Sequence, residues 1–440
     1  MSIEQILLSS AVSLFFGLMM TRVLKPFKLP DVTAYLIAGV LIGTFCLGRF
    51  VFVGYSVGFN DKVAPVGSFN IISDVALGFI AFDIGNEFRV TELKKTGKQA
   101  AVIGVVQGLA ATALVDVALI ITHSIVLSAT GKDLLPIPAC IILGAIATAT
   151  APAATLMVVR QYKAKGPLTD LLLPIVALDD AVGLVVFAVS FGVAQAMQGG
   201  ALNVVSVVVN PLLEIVCSLA LGAAMGSLLT LLEKLFFSNK NRLSLTIAFV
   251  MMTIALSTLE IPLPGGAKIT FSSLLVCMML GTMFCNLSEY SVDIMKRSEE
   301  WTAPLYAVFF VLSGAQLDLG VFRYPSILLI GLVFILVRCA GKYLGAWGSA
   351  TIMGCEPNVR RYLGITLFPQ AGVALGMVVT AQALGQESGA MIRNIILFAV
   401  LVYELVGPLL TKQALMAAGE VATKHPEAQY RARFEKKAAQ

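Results

Sequence analysis

The feature that most limits what this chain can fold into is a recurrence. Apolar runs of about 20 residues, the length that spans a bilayer as a helix, alternate with short clusters of charge. Only 13% of the residues are charged, about half the share of a soluble domain, and the mean hydropathy is +0.88. Such a chain reads as an all-α polytopic membrane protein, because a helix satisfies its own backbone polar groups inside hydrocarbon. The net charge of +5 is scattered, with no interleaving of basic and aromatic residues, so nucleic acid is set aside as a partner. Seven cysteines without a close CxxC pair, and only His123 and His425 as histidines, support neither a disulfide framework nor a zinc site. No cofactor is expected.

Cutting the chain at charge clusters and at Pro, Gly and Asn turns gives spans near 4–24, 29–48, 66–88, 99–122, 136–159, 167–198 and 203–232, then 243–259, 269–287, 301–318, 325–353, 358–384 and 391–414. That makes thirteen transmembrane helices. The first carries Glu4 before it and Arg22, Lys25 and Lys28 after it, so it reads as a retained helix and not as a secretory signal. With the N-terminus outside, the cytoplasmic loops and tail hold 23 of the 31 Lys and Arg, and the opposite side holds six. This asymmetry obeys the positive-inside rule and predicts a multi-pass protein of the inner (plasma) membrane with a cytoplasmic C-terminus.

Two phrases recur in the two halves. The third span ends Phe82-Asp83-Ile84-Gly85-Asn86-Glu87-Phe88 and the tenth ends Val311-Leu312-Ser313-Gly314-Ala315-Gln316-Leu317. Likewise Gly144 precedes Thr148-Ala149-Thr150-Ala151-Pro152 in the fifth span, and Gly364 precedes Thr366-Leu367-Phe368-Pro369-Gln370 in the twelfth. Six spans, a linker and six more place the halves in opposite orientations. The pattern predicts two inverted six-helix repeats with two crossing broken helices at a binding site.

An ionisable residue at bilayer depth costs about 2.5–3.5 kcal/mol on insertion scales, so it needs a partner, water or a function. The sixth span carries Asp179-Asp180 near the middle of an apolar helix. Neighbours on a helix point about 100° apart, so one aspartate can pair with a protein cation while the other faces a water-filled cavity. The eleventh span supplies Arg338 and Lys342, four residues apart on one face. Lys342 lies between Gly341 and Gly345, which leaves room for another helix to approach; Arg338 can snorkel or bind another acid. Glu404 in the last span is a supporting candidate. Thr148, Thr150 and Gln370 line the breaks as oxygen donors for a partly dehydrated cation, or, for the hydroxyls, bond back to their own helices. Asp83 and Glu87 lie near a cytoplasmic end where water reaches them.

On the Leu178-Asp179-Asp180-Ala181-Val182-Gly183-Leu184 doublet, Gly341-Lys342-Tyr343-Leu344-Gly345 and Glu404-Leu405-Val406-Gly407-Pro408, the chain resembles the sodium/proton antiporters of the cation:proton antiporter superfamily, NapA-like electrogenic bacterial type. The resemblance covers about residues 4 to 414 and implies an NhaA/NapA-like antiporter fold. It implies that Asp180 alternately holds Na+ (or Li+) and H+ and that Asp179 pairs with Lys342. It also implies a homodimer. Residues 1–96 and 239–322 would form a dimer and scaffold domain, 97–200 and 323–415 a moving core, 201–238 a linking helix and 416–440 a basic cytoplasmic tail. One departure stands out: many relatives carry an acid in the twelfth-span break, where this chain has Gln370-Ala371-Gly372.

Competition of cation and proton for one carboxylate would be enough for exchange. If a cation also broke the Asp179–Lys342 pair, a second proton would leave and the cycle would be electrogenic. Potassium/proton exchange in the same superfamily is one alternative. A sodium-coupled symporter of organic anions on the same fold is another, but two aspartates would repel an anion. A passive cation channel would not collapse a pH gradient. An intramembrane aspartyl protease needs aspartates from separate helices sharing a proton, which adjacent residues cannot provide.

Overall fold

A computed structural model of the chain describes residues 2–27, 29–52, 55–56, 58–60, 64–86, 88–131, 135–198, 209–262, 268–317 and 325–421. The described residues are almost entirely helical. In order they form α1 (Ile3–Leu24), α2 (Asp31–Ile42), α3 (Asn70–Asn86), α4 (Val90–Thr130), α5 (Ile137–Ile146), α6 (Pro152–Gln161), α7 (Pro167–Met197) and α8 (Asn210–Glu233). Then come α9 (Asn239–Ser257), α10 (Ser273–Leu287), α11 (Ser291–Ala315), α12 (Pro325–Ile352), α13 (Pro357–Thr366), α14 (Gly372–Ala381) and α15 (Gln386–Ala417). Two short antiparallel ribbons, β1 (Val51–Phe52) with β2 (Tyr55–Ser56) and β3 (Ile261–Pro262) with β4 (Lys268–Ile269), sit in connections.

α1 shows how the sequence selects a membrane setting. Its buried residues are Gln5, Ser9, Ser13 and Gly17, a polar and small stripe at i, i+4 spacing, while Leu7, Phe15 and Val23 are exposed. In water this arrangement would be inside out. In lipid the apolar side faces the solvent, and small residues allow close helix packing. The stripe is satisfied internally: Gln5 Nε2 donates to Ser9 Oγ (2.9 Å) and to the Ser56 carbonyl (3.0 Å).

Eight helices among the described residues are long and apolar enough to cross a membrane; they contain α1, α2, α3, α4, α7, α8, α12 and α15. The other segments read as spans fold as helices that are short or more polar. α5, α6, α13 and α14 have ten residues each, about 15 Å or half a hydrocarbon core. α10 has 15 residues. α11 begins ten residues before the apolar run, so its first turns carry Asp293, Lys296 and Arg297.

Packing divides into clusters. One apolar cluster gathers α4, α5, α12, α14 and α15 around Leu143, Phe334 and Ile395. Another gathers α3 and α9–α11 around Phe79, Phe82 and Phe284, and α8, α6 and α7 contribute Leu229, Leu156 and Ala177. α12 lies along α4, α7 also packs on α4, and α10 lies between α3 and α8.

One expectation is corrected. Asp83, placed by the sequence near cytoplasmic water, is fully buried and bonded to Arg160 and Tyr306. The reason is tertiary: α6 and α11 cover this end of α3. Glu87 lies outside the described residues.

Candidate functional site

Two helices are interrupted where the sequence places Pro and Gly. Between α5 and α6, residues 147–151 leave the helical path, and between α13 and α14, residues 367–371 do the same. Pro152 opens α6 as a first helical residue, where its missing N–H is no loss. The breaks touch: the Ala151 N–H donates to the Pro369 carbonyl (2.8 Å), and Gln370 Nε2 donates to the Ile146 carbonyl (2.8 Å).

Half-helices ending inside hydrocarbon expose carbonyls and the negative end of a dipole. α12 supplies the compensating cations. The Arg338 guanidinium, completely buried, donates through Nε to the Ala147 carbonyl (3.0 Å), through Nη2 to Ala149 (2.6 Å) and through Nη1 to Phe368 (2.8 Å). It thereby bridges both breaks and also stacks over the Tyr403 ring, 4.6 Å from its centroid. The role open in the sequence is filled by backbone carbonyls and an aromatic face.

Lys342, one turn further along α12, is equally buried. Its Nζ donates to the Thr148 carbonyl (2.5 Å), to Thr150 Oγ1 (2.9 Å) and to Asp179 Oδ2 (2.9 Å), which uses all three ammonium protons. The flanking glycines let α12 come this close. A Cβ on Gly341 would stand 2.6 Å from Ala111 Cα, and one on Gly345 would stand 2.7 Å from Gln107 Cα, both on α4.

The Asp179 carboxylate is fully engaged. Oδ2 also accepts from the Thr150 hydroxyl (2.5 Å), and Oδ1 accepts from Gln107 Nε2. Gln107 is a site residue that the sequence did not flag, since a lone neutral amide in an apolar helix carries no sign of what it faces. Asp180, the next residue, differs: its Oδ1 is buried and has no hydrogen-bond partner among the described residues. It lies within electrostatic reach of Asp179 and Lys342.

The remaining candidates divide. The Thr148 hydroxyl bonds back to the Ala145 carbonyl (2.7 Å), leaving its own carbonyl for Lys342. Thr150 mediates between Lys342 and Asp179. Among the described residues, Gln370 Oε1 has no hydrogen-bond partner, and neither has Oε2 of buried Glu404. Glu404 stands three residues before Gly407, which packs against Pro369 of the second break. Asp116 of α4 rests its carboxyl group against Gly144 of α5.

The helix carrying the aspartates is fixed at its N-terminus from elsewhere in the chain. Glu420, beyond α15, accepts from the Leu168 N–H (2.6 Å), the Thr169 N–H (2.8 Å) and the Thr169 hydroxyl (2.6 Å). It thus caps α7 with negative charge at the positive end of the dipole. Gly166, at φ +154, is needed there, because a Cβ would meet the Glu420 carboxyl group at 2.6 Å.

A polytopic helical protein with opposed buried charges at two touching helix breaks is a membrane transporter, and comparison with known proteins gives its family. The family described as sodium/hydrogen exchanger, transmembrane, matches residues 11–417, and the chain belongs to it. It is therefore a cation/proton antiporter of the cation:proton antiporter superfamily, and not an enzyme. The chain is 24% identical to the high-affinity Na(+)/H(+) antiporter NhaS3 of Synechocystis sp., over 88% of this chain and 84% of the relative. It is 22% identical to the Na(+)/H(+) antiporter NhaS4 of the same organism, over 90% and 93%. Its fold is similar to that of the sodium proton antiporter MjNhaP1 from Methanocaldococcus jannaschii, with a TM-score of 0.73 at 16% identity, covering 96% of this chain and all of the other.

Proposed function

We propose that this antiporter exchanges Na+ or Li+ for H+ by alternating access, with cation and proton competing for Asp180. The observation that carries the reading is the contrast within the doublet. Asp179 spends its charge on Lys342, Thr150 and Gln107, whereas Asp180 keeps a buried oxygen without a hydrogen bond among the described residues. A buried carboxylate in that condition takes up either a proton or a cation, because an isolated charge in low dielectric is costly. Exchange follows if the protein changes access only when Asp180 is occupied. Gln370 Oε1 and Glu404 are the supporting oxygens, and Arg338 keeps the breaks together.

The finer architecture belongs to the same proposal. Thirteen spans form two inverted six-helix repeats, with the N-terminus outside and the C-terminus in the cytoplasm. Residues 97–200 and 323–415 form a core that moves against a scaffold of 1–96 and 239–322, linked by 201–238. Two copies pair through the scaffold, and the tail 416–440 keeps the topology. Arrival of the cation breaks the Asp179–Lys342 pair and releases a second proton, which makes the cycle electrogenic.

The test is collapse of a pH gradient in proteoliposomes on adding Na+, Li+ or K+ in turn, with Asp180→Asn beside the unaltered protein. Collapse by Na+ or Li+ that vanishes in the variant supports the reading. A response to K+ alone moves the assignment to potassium exchange, and undiminished exchange in the variant removes Asp180 from its role. Reversal potentials then decide the stoichiometry, since electroneutral exchange excludes the two-proton step.

A further inference from the structure

Away from the breaks, a second buried charge cluster joins three helices. Asp83 near the end of α3 is fully buried, and its Oδ2 accepts from Arg160 Nη1 (2.5 Å) and from the Tyr306 hydroxyl (2.5 Å). Arg160 lies one residue from the end of α6, the half-helix that follows the first break, and Tyr306 belongs to α11. Glu299, also on α11, stands 3.6 Å from Arg160 Nη2. Next to Arg160, Gln161 Oε1 accepts from the Asp31 N–H at the start of α2 (2.9 Å). The last two residues of α6 are thus tied to α2, α3 and α11, all of which lie in the proposed scaffold, while α6 lies in the proposed core.

The cluster is under-bonded for its burial. Among the described residues, Asp83 Oδ1 makes no hydrogen bond, and neither do Arg160 Nε and Nη2, the last of these having only the Glu299 carboxylate at 3.6 Å. A planar guanidinium and a carboxylate can form two parallel bonds, and here one is formed. A buried pair is worth keeping only when its remaining donors and acceptors are also satisfied, so this one gives up little when it parts. A cleft of about 190 Å³ lies beside it, lined in part by Asn86, Arg89, Ser291, Lys296 and Glu299. Charges released there meet polar side chains and water at once, without crossing hydrocarbon.

We infer that Arg160, Asp83 and Tyr306 form a releasable latch between core and scaffold that closes the cytoplasmic side and opens once in each exchange cycle. The inference rests on the division into core and scaffold given above, and it adds residues that gate access to those that hold the ion. While the latch is closed, α6 cannot slide against α3 and α11. Because a cytoplasmic cation binds only the open fraction, its apparent affinity scales with that fraction.

Two measurements test it. Tyr306→Phe keeps the ion pair and removes one hydrogen bond. With cation supplied only at the cytoplasmic face, its KM should fall on the order of five- to tenfold with the maximal rate changed less than twofold; a merely structural role would lower the rate and leave KM alone. The second measurement uses Arg160→Cys with Tyr306→Cys, whose side chains replace two that reach one carboxylate oxygen. A short bis-methanethiosulfonate reagent, which forms one disulfide with each cysteine and releases methanesulfinate, should block exchange in this double variant, a reductant should restore it, and each single variant given the same reagent should stay active. Exchange that continues at full rate in the bridged protein overturns the latch, as does an unchanged KM in Tyr306→Phe. Block by the bridge in a protein whose Asp180→Asn form still exchanges supports the latch and overturns only the carboxylate assignment.

Discussion

Two buried carboxylates in this protein each meet one cationic side chain and one hydroxyl group, and they are left in different condition. At the breaks, Asp179 meets Lys342 and Thr150, with Gln107 on its other oxygen, and every Lys342 proton is used. At the end of α3, Asp83 meets Arg160 and Tyr306 with one oxygen; among the described residues its other oxygen and the guanidinium Nε and Nη2 make no hydrogen bond, and Nη2 has only the looser Glu299 carboxylate at 3.6 Å. The partners are of the same kinds, so the residue types do not make the difference. Geometry does: a broken helix brings one carbonyl and a threonine hydroxyl to Lys342, whereas Arg160 reaches between helices that offer it only side chains. A finished network holds its elements in one arrangement, and an unfinished one can be exchanged for another.

The comparison can be broken most forcefully at Lys342. Lys342→Ala leaves Asp179 charged, buried and without its cation, and should lower stability by about 3–5 kcal/mol; an unchanged melting temperature in detergent would mean that Asp179 does not depend on the pair. Arg338→Met frees three break carbonyls and should cost about 3 kcal/mol, read as melting together with faster amide hydrogen exchange at residues 147–151. Retained protection there would show that the breaks hold without it. Gln107→Leu removes a single donor from Asp179 and should cost about 2 kcal/mol in the same melting assay, a loss that disappears when Asp179 is also replaced by Asn. Tyr306→Phe should cost least, about 1 kcal/mol, with its main effect on cytoplasmic KM; a loss as large as that of Lys342→Ala would erase the distinction between the two networks.

Much of the site was legible from sequence because hydrocarbon makes polar residues conspicuous. Asp179-Asp180, Lys342 and the Pro-interrupted segments are rare events in apolar helices, and glycines on both sides of Lys342 marked a close helix contact. The α5–α6 and α13–α14 interruptions follow from the same punctuation. What the sequence did not reveal depended on partners far away in the chain. Gln107 meets Asp179 across 72 positions, and Tyr306 meets Asp83 across 223. Asp83 sits at a helix end, where a sequence reading supplies water by default, and only the packing of α6 and α11 withdraws it. The partners of Arg338 stayed open, because carbonyls at a break carry no sequence mark as ligands for a cation.

The Glu420 cap has a mechanical meaning. Three short hydrogen bonds join the chain just past its last helix to the first turn of α7, with Gly166 cut to fit. Glu420 is therefore fastened to the same rod that carries Asp179 and Asp180. A displacement at Glu420 reaches that rod through a stiff coupling and not through a slack leash.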